Sequence, residues 1–226
     1  MGTSEIYKYP PGRMVIAIDG PAGAGKSTVA RALAERLGFT YLDSGAMYRS
    51  IALAALRAGA DADDPVQIEP IAAAVQITLA PDLIELDGED VTAAIRDPEV
   101  TSAASRVSVH PGVREAMVVR QRGIVAVGGW VAEGRDIGTV VCPEAPLKIY
   151  LVAAEQERAR RRSEQSGEDA AEVLAAMRDR DSRDAGREHG ALIPALDSVE
   201  LDTSGLSVEE VVERIVEMAA ERGLSR

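Results

Sequence analysis

Apolar positions along this chain alternate between short unbroken runs and helical spacings. Residues 14–18 form a continuous apolar run that stops at Asp19 and Gly20, as a strand covered on both faces does. Beyond a glycine-rich turn, Val29, Leu33 and Leu37 recur every four residues, which predicts a helix over 26–37 stopped by Gly38. A second helical pattern runs from 44 to about 58, with Ser44 placed to be its N-cap. Further short apolar runs lie at 130–132, 147–152 and 199–201, separated by helical or loop stretches. Strand alternating with helix predicts an α/β fold, a parallel sheet with helices on both faces.

The stretch 64–128 breaks this rhythm. It has strand-like pieces at 75–79 and 83–86, joined near Pro81 and Asp82, then Asp87 and Gly88 as a hairpin turn, then two helical segments. This pattern predicts an inserted α+β subdomain over 64–128, with the core made of 13–63 and 129–222. Residues 1–12, with Pro10, Pro11 and Gly12, carry no periodicity and read as a loose leader.

Composition narrows the function. With 226 residues, 46% of them apolar, the chain has enough material for a core. With 27% charged residues and no apolar run near the roughly 20 that span a bilayer, a soluble, cytoplasmic protein without a membrane partner is expected. Cys142 is the single cysteine, and His110 and His189 are far apart, so structural zinc is not expected. The net charge of -12 argues against general affinity for nucleic acid, which depends on neutralising phosphates with Lys and Arg. The cations are lopsided, with Lys8, Lys26 and Lys148 the only lysines and 22 arginines. Asparagine is absent, which removes the N-K-x-D guanine-reading signature of GTP switches.

One of those lysines lies in a motif. Gly20, Pro21, Ala22, Gly23, Ala24, Gly25, Lys26 and Ser27 fit G-x-x-x-x-G-K-[ST], after a strand and before a helix, with Thr28 next. Glycines let backbone N–H groups converge on phosphate oxygens, and the helix N-terminus adds its positive end. Lys26 would reach the β- and γ-phosphates of ATP, and Ser27 would ligate Mg²⁺. Such a loop implies nucleotide binding without saying where the γ-phosphate goes.

Two charged clusters follow strand ends. Asp43, Ser44 and Arg49 span one strand-to-helix turn, where open α/β sheets bind ligands, and Glu133, Gly134, Arg135 and Asp136 span another. Between 155 and 189 come Arg158, Arg160, Arg161, Arg162, Arg178, Arg180, Arg183 and Arg187, eight arginines in a stretch without a strand. Arg180 is spaced to pair with Asp184, whereas Arg183 and Arg187 repel at i, i+4, a repulsion that an anionic ligand would relieve. Ordinary helix ion pairs are the plainer reading.

With these motifs in view, the chain resembles the bacterial cytidylate kinase family, over nearly everything from Val15 to about Ile215. The resemblance rests on the 18–21 lead-in, the 42–49 run, the 113–116 helix, the 133–139 run and the 178–187 segment. It implies a P-loop NTPase core with a five-stranded parallel sheet, an inserted monophosphate-binding subdomain at 64–128 and a helical lid at 155–189. The implied reaction transfers the γ-phosphate of ATP, with Mg²⁺, to CMP or dCMP. By the same resemblance Ser105, Arg114 and Asp136 would read the cytosine edge, Arg180 and Asp184 would contact the ribose, and Ser44, Arg49, Arg135 and Arg187 would clamp the α-phosphate. Lys26, Arg158 and Arg162, with Arg135 of the clamp, would serve the transferring phosphoryl group. No strand ends in a plain Walker-B aspartate, so Asp43, through water, is the candidate second contact to magnesium. A kinase for another acceptor and a non-catalytic ATP-binding module are the rival readings. No exposed heptad argues for assembly, and a monomer is expected.

Overall fold

The computed structural model describes residues 14–80, 82–167, 169–186 and 190–224. In chain order these form β1 (Val15–Asp19), α1 (Lys26–Leu37), β2 (Thr40–Asp43), α2 (Ser44–Arg57), α3 (Pro65–Ala74), β3 (Ile77–Ala80), β4 (Leu83–Leu86) and β5 (Glu89–Asp90). A 3₁₀ turn, Ala94–Arg96, leads to α4 (Pro98–Val107), α5 (Pro111–Val125) and β6 (Trp130–Gly134). A π-helical turn, Ile137–Val141, precedes β7 (Leu147–Val152), α6 (Glu155–Ser166), α7 (Ala170–Ala185), β8 (Val199–Asp202) and α8 (Val208–Glu221). The predicted leader at 1–12 and Arg187 lie outside the described residues. Among the described residues no helix is long and apolar enough to cross a membrane.

The chain divides into two compact units. One holds the residues up to Leu42, from Arg122 to Gly186 and from Gly190 on; the other holds Asp43–Gln121. The second unit therefore takes in the α2 helix that the sequence pattern groups with the core.

The first unit is built on the five-stranded parallel sheet, in the order β2-β6-β1-β7-β8. β1 is the middle strand, with Ile16 opposite both Val131 of β6 and Leu147 of β7. All five of its side chains are buried, which explains its unbroken apolar run up to Asp19. On the sheet pack α1, through Val29, Leu33 and Leu37, and α8, through Val211, Ile215 and Ala219. Each of the Val, Leu and Ile side chains among these contributes about 1.5–3 kcal/mol of burial. Gly38, with φ 65°, ends α1, and a Ser207–Glu210 capping box starts α8.

The second unit packs α2 on α4, with further contacts to α3, β4 and the 3₁₀ turn. Met47, Ile51, Ile68, Ile95, Val107 and Met117 are fully buried there. Its sheet is the antiparallel β3-β4-β5, and the turn at Asp87 (φ 52°) and Gly88 (φ 83°) has the two positive φ angles that a right-twisted hairpin requires.

Two expectations need correction. Ser44 is not the N-cap of α2: Asp43 is, in the extended conformation in which β2 ends, with its carboxylate accepting the Ala46 N–H. A carboxylate also suits the positive helix end. The pattern also misses α3, although Asp64 caps it and Pro65 opens it; Pro70 inside the helix disguises the period.

Candidate phosphate-transfer site

The glycine-rich loop follows the middle strand of the sheet and runs straight into α1. Gly25, at φ 87°, is the N-cap residue, and no side chain caps the helix, so its first N–H groups face outward without an acidic competitor. Gly20 sits at φ +146°, where an added Cβ would lie 2.1 Å from the Leu151 carbonyl oxygen. No other residue type fits that approach. Ser27 and Thr28 are exposed on the first turn of α1.

Lys26, by contrast, is buried and donates to the Pro21 carbonyl at 2.8 Å. Burial first, then the Arg135 charge, pulls its pKa down to about 7, with Arg180 adding to the fall and Glu133 and Asp19 opposing it. An ammonium held this way lacks a fixed anionic partner strong enough to offset its desolvation. A polyphosphate would supply one.

Around this lysine the first unit gathers several of the expected residues. Arg135 donates from Nε to Asp184 at 2.8 Å and from Nη1 to the Gly20 carbonyl at 3.0 Å. Asp184, which sequence spacing also places one turn from Arg180, is thus tied to a residue 49 positions away. Burial lowers the Arg135 pKa, yet the Asp184 carboxylate, helped by Asp181 and Glu133, more than offsets this and holds it up. Asp136 is buried at the start of the π-helical turn. Arg158 is buried on α6 and donates to the Ala22 carbonyl at 2.8 Å, while Arg162, one turn on, is half-buried.

The second unit brings together the others. Asp43 accepts from Arg49 Nη2 at 2.8 Å as well as capping α2, and Gly45 leaves room for that guanidinium, since a Cβ there would lie 2.9 Å from Arg49 Nη1. Arg49 Nε is buried without a protein partner, and Ser44, next to Asp43 in sequence, is also buried. Arg114 lies over the Tyr48 ring at 5.9 Å and reaches the Ser108 carbonyl at 3.5 Å. Ser108 in turn donates to the Ser105 carbonyl at 3.0 Å, and the Ser105 hydroxyl is buried with no hydrogen-bond partner. Orphaned buried polar atoms of this kind are uncommon, and this one has hydrogen-bonding capacity that the protein does not use.

Four further contributors have contacts that the sequence reading does not anticipate, although Arg161 is among its eight lid arginines. Asp19 receives two backbone N–H bonds from Ile137 and Gly138; Tyr41 donates its hydroxyl to Glu133; Arg161 bonds Thr203 through both its Oγ1 and its carbonyl; and Asp181 pairs with Arg158. Val173, Met177, Asp181 and Asp184 recur at helical spacing on α7, a signal that marks one face for burial.

Among the described residues no cluster of three His, Cys, Asp or Glu side chains is arranged for a metal. A magnesium ion carried by phosphates needs only one or two protein oxygens and keeps its waters. The exposed Ser27 hydroxyl fits such a role; Asp43 has its oxygens engaged by Ala46 and Arg49, so a contact through water is the form open to it.

Comparison with known proteins adds a family. The family model described as Cytidylate kinase matches residues 16–221. A cytidylate kinase of Solibacter usitatus is 52% identical over 217 residues, covering 93% of this chain and 94% of its own length. A bifunctional pantoate ligase/cytidylate kinase of a Synechococcus species is 48% identical over 219 residues, and there the match spans 92% of this chain but 45% of the relative. Among solved structures, an uncharacterized protein from Eubacterium ventriosum superimposes with a TM-score of 0.52 at 13% identity, covering 91% of this chain and 98% of that one, a likeness of fold.

Proposed function

The chain belongs to the cytidylate kinase family, nucleoside monophosphate kinases that phosphorylate CMP, and from this premise we propose how its residues divide the work. ATP, the phosphoryl donor of such a kinase, lays its phosphates along residues 20–28, against the uncapped N-terminus of α1. Ser27 and, through water, Asp43 would hold the Mg²⁺ of the nucleotide, which would supply charge neutralisation at the phosphates. Ser44, Arg49, Arg135 and Arg187 hold the acceptor's phosphate, Arg180 and Asp184 its ribose, and Ser105, Arg114 and Asp136 its base. dCMP is accepted as CMP is.

In the reaction a phosphate oxygen of CMP attacks the γ-phosphorus as the bond to the ADP oxygen breaks, and no covalent enzyme intermediate forms. The enzyme's task is to line up two anions and neutralise their repulsion. Lys26, Arg158 and Arg162 act on the transferring group, where donors fixed in advance lower the barrier most. The lid residues of 155–189 keep water from the γ-phosphate until the acceptor is in place. Cytoplasmic, monomeric action on free nucleotides, without nucleic-acid or membrane partners, belongs to the same reading; the net charge of -12 argues against general affinity for a nucleic-acid backbone.

The observation that carries the base assignment is the buried, unpartnered Ser105 hydroxyl beside the Ser108–Arg114 link. A site built to hydrogen-bond one base rejects others because its polar groups are left unpaired. Steady-state ADP release from Mg-ATP, without acceptor and then with CMP, dCMP, UMP and AMP in parallel, tests the reading. Fast release with CMP and dCMP, weak release with UMP and none without acceptor is expected. Release without acceptor, or none with any, would overturn it, and gel filtration checks the monomer.

A further inference from the structure

The α6–α7 hairpin is seated on the phosphate loop at Ala22 and Gly23. Ala159, Val173 and Met177 form a small buried cluster with Ala22 and Leu174 against it, and a Cβ on Gly23 would lie 2.7 Å from Met177 Cε. Beside this apolar foot is a closed ring of hydrogen bonds. Asp181 accepts the Ala22 N–H on Oδ1 at 3.2 Å and the Arg158 Nη1 on Oδ2 at 2.6 Å, and the same Nη1 donates to the Ala22 carbonyl at 2.8 Å. Arg158 Nε is buried without a partner in the protein.

A guanidinium is a planar fork of five donors. Two acceptors converging on Nη1 fix that plane relative to the loop and leave Nε, which the protein does not satisfy, for something else. A buried cation without a carboxylate would be costly, and Asp181, itself mostly buried, supplies the carboxylate. From this geometry we infer that Asp181 is a positioning residue for the phosphoryl transfer: it locks the Arg158 guanidinium against Ala22 so that its remaining N–H groups are aimed at the nucleotide phosphates. The inference rests on the proposed role of Arg158. Asp181 touches no reacting atom; it acts through the arginine and through the loop N–H that it occupies.

The test is a double-mutant cycle on the full chain, assayed with Mg-ATP and CMP. Asp181→Asn keeps the shape and an acceptor for the Ala22 N–H but removes the charge that holds Arg158. Its kcat is expected to fall about 10- to 100-fold with the KM for CMP changed less than about threefold, and Asp181→Glu is expected to recover part of the loss. In an Arg158→Ala background, Asp181→Asn is expected to lose less than about threefold further, because the two act as one unit. Near-wild-type kcat in Asp181→Asn, or losses that multiply in the double variant, would overturn the inference. Melting curves accompany each variant, with Asp181→Ser as the second replacement; failure of both Asn and Ser variants to fold would mark Asp181 as an anchor of the fold and also overturn it. A wild-type chain that releases no ADP with any acceptor would instead count against the kinase reading itself.

Discussion

Asp19 accepts the backbone N–H of Gly138 at 2.7 Å, and with its other oxygen that of Ile137 at 2.9 Å, so a carboxylate at the end of β1 holds the turn that Asp136 begins. Burial pushes its pKa from 3.8 up to about 6, the two N–H groups and Lys26 working against the rise and Asp136 adding to it. The folded chain therefore binds this proton more readily than the unfolded chain. Its contribution to stability is complete below about 3.8 and is lost as pH rises through about 6. Asp19→Asn cannot ionise. Its melting temperature relative to wild type is expected to rise by on the order of 5 °C between pH 4 and pH 7.5, and a constant difference across that range would contradict the assignment.

Lys26 shifts the other way, down to about 7 by burial and by Arg135. Phosphates arriving beside it raise that value, so ATP binding at pH 8 is expected to take up about 0.5–1 proton. Titration calorimetry in two buffers of different ionisation enthalpy measures this directly. Lys26→Met should bind without proton uptake and lose kcat by about a thousandfold or more while keeping its circular dichroism.

Ser105→Ala separates function from stability. The hydroxyl is buried and unpartnered, so its removal is expected to leave stability unchanged or raise it by up to about 1 kcal/mol. The KM for CMP should rise about tenfold with the KM for ATP unchanged. A loss of thermal stability together with an unchanged KM for CMP would sink the base-reading role.

Gly20→Ala tests the loop's geometry. With φ +146° and the Leu151 carbonyl 2.1 Å from the modified position, the loop or β7 must move. A fall in melting temperature of more than about 5 °C, together with loss of ATP binding, is expected.

The phosphate loop is legible in the sequence because its residues are contiguous, and strand, loop and helix each carry their own local signal over 15–37. The rest of the constellation is assembled by tertiary contact. The spacing on its own helix relates Asp184 to Arg180, and the bond it accepts from Arg135, 49 residues away, has no local signal. Asp181 finds Ala22, 159 positions earlier, and no spacing rule joins residues so far apart. Asp19 reads as the polar end of an apolar strand, and its two backbone donors belong to a turn 118 and 119 residues later. Local caps are easier to read but still ambiguous: Asp43 and Ser44 are both good N-caps, and the choice depends on where the extended strand stops.

The central place of β1 has a consequence for biosynthesis. Its two neighbours, β6 and β7, begin at Trp130 and Leu147, so both of its hydrogen-bonding edges stay open while more than a hundred further residues leave the ribosome. At about 5–20 residues per second, that interval is on the order of 10 s. Throughout it, a strand that is apolar up to its last residue is exposed to pairing with other nascent chains. The nucleotide site, built on the same strand, cannot exist until the interval has closed, which makes ATP binding a marker of completed folding and β1 the segment that chaperones have most reason to shield.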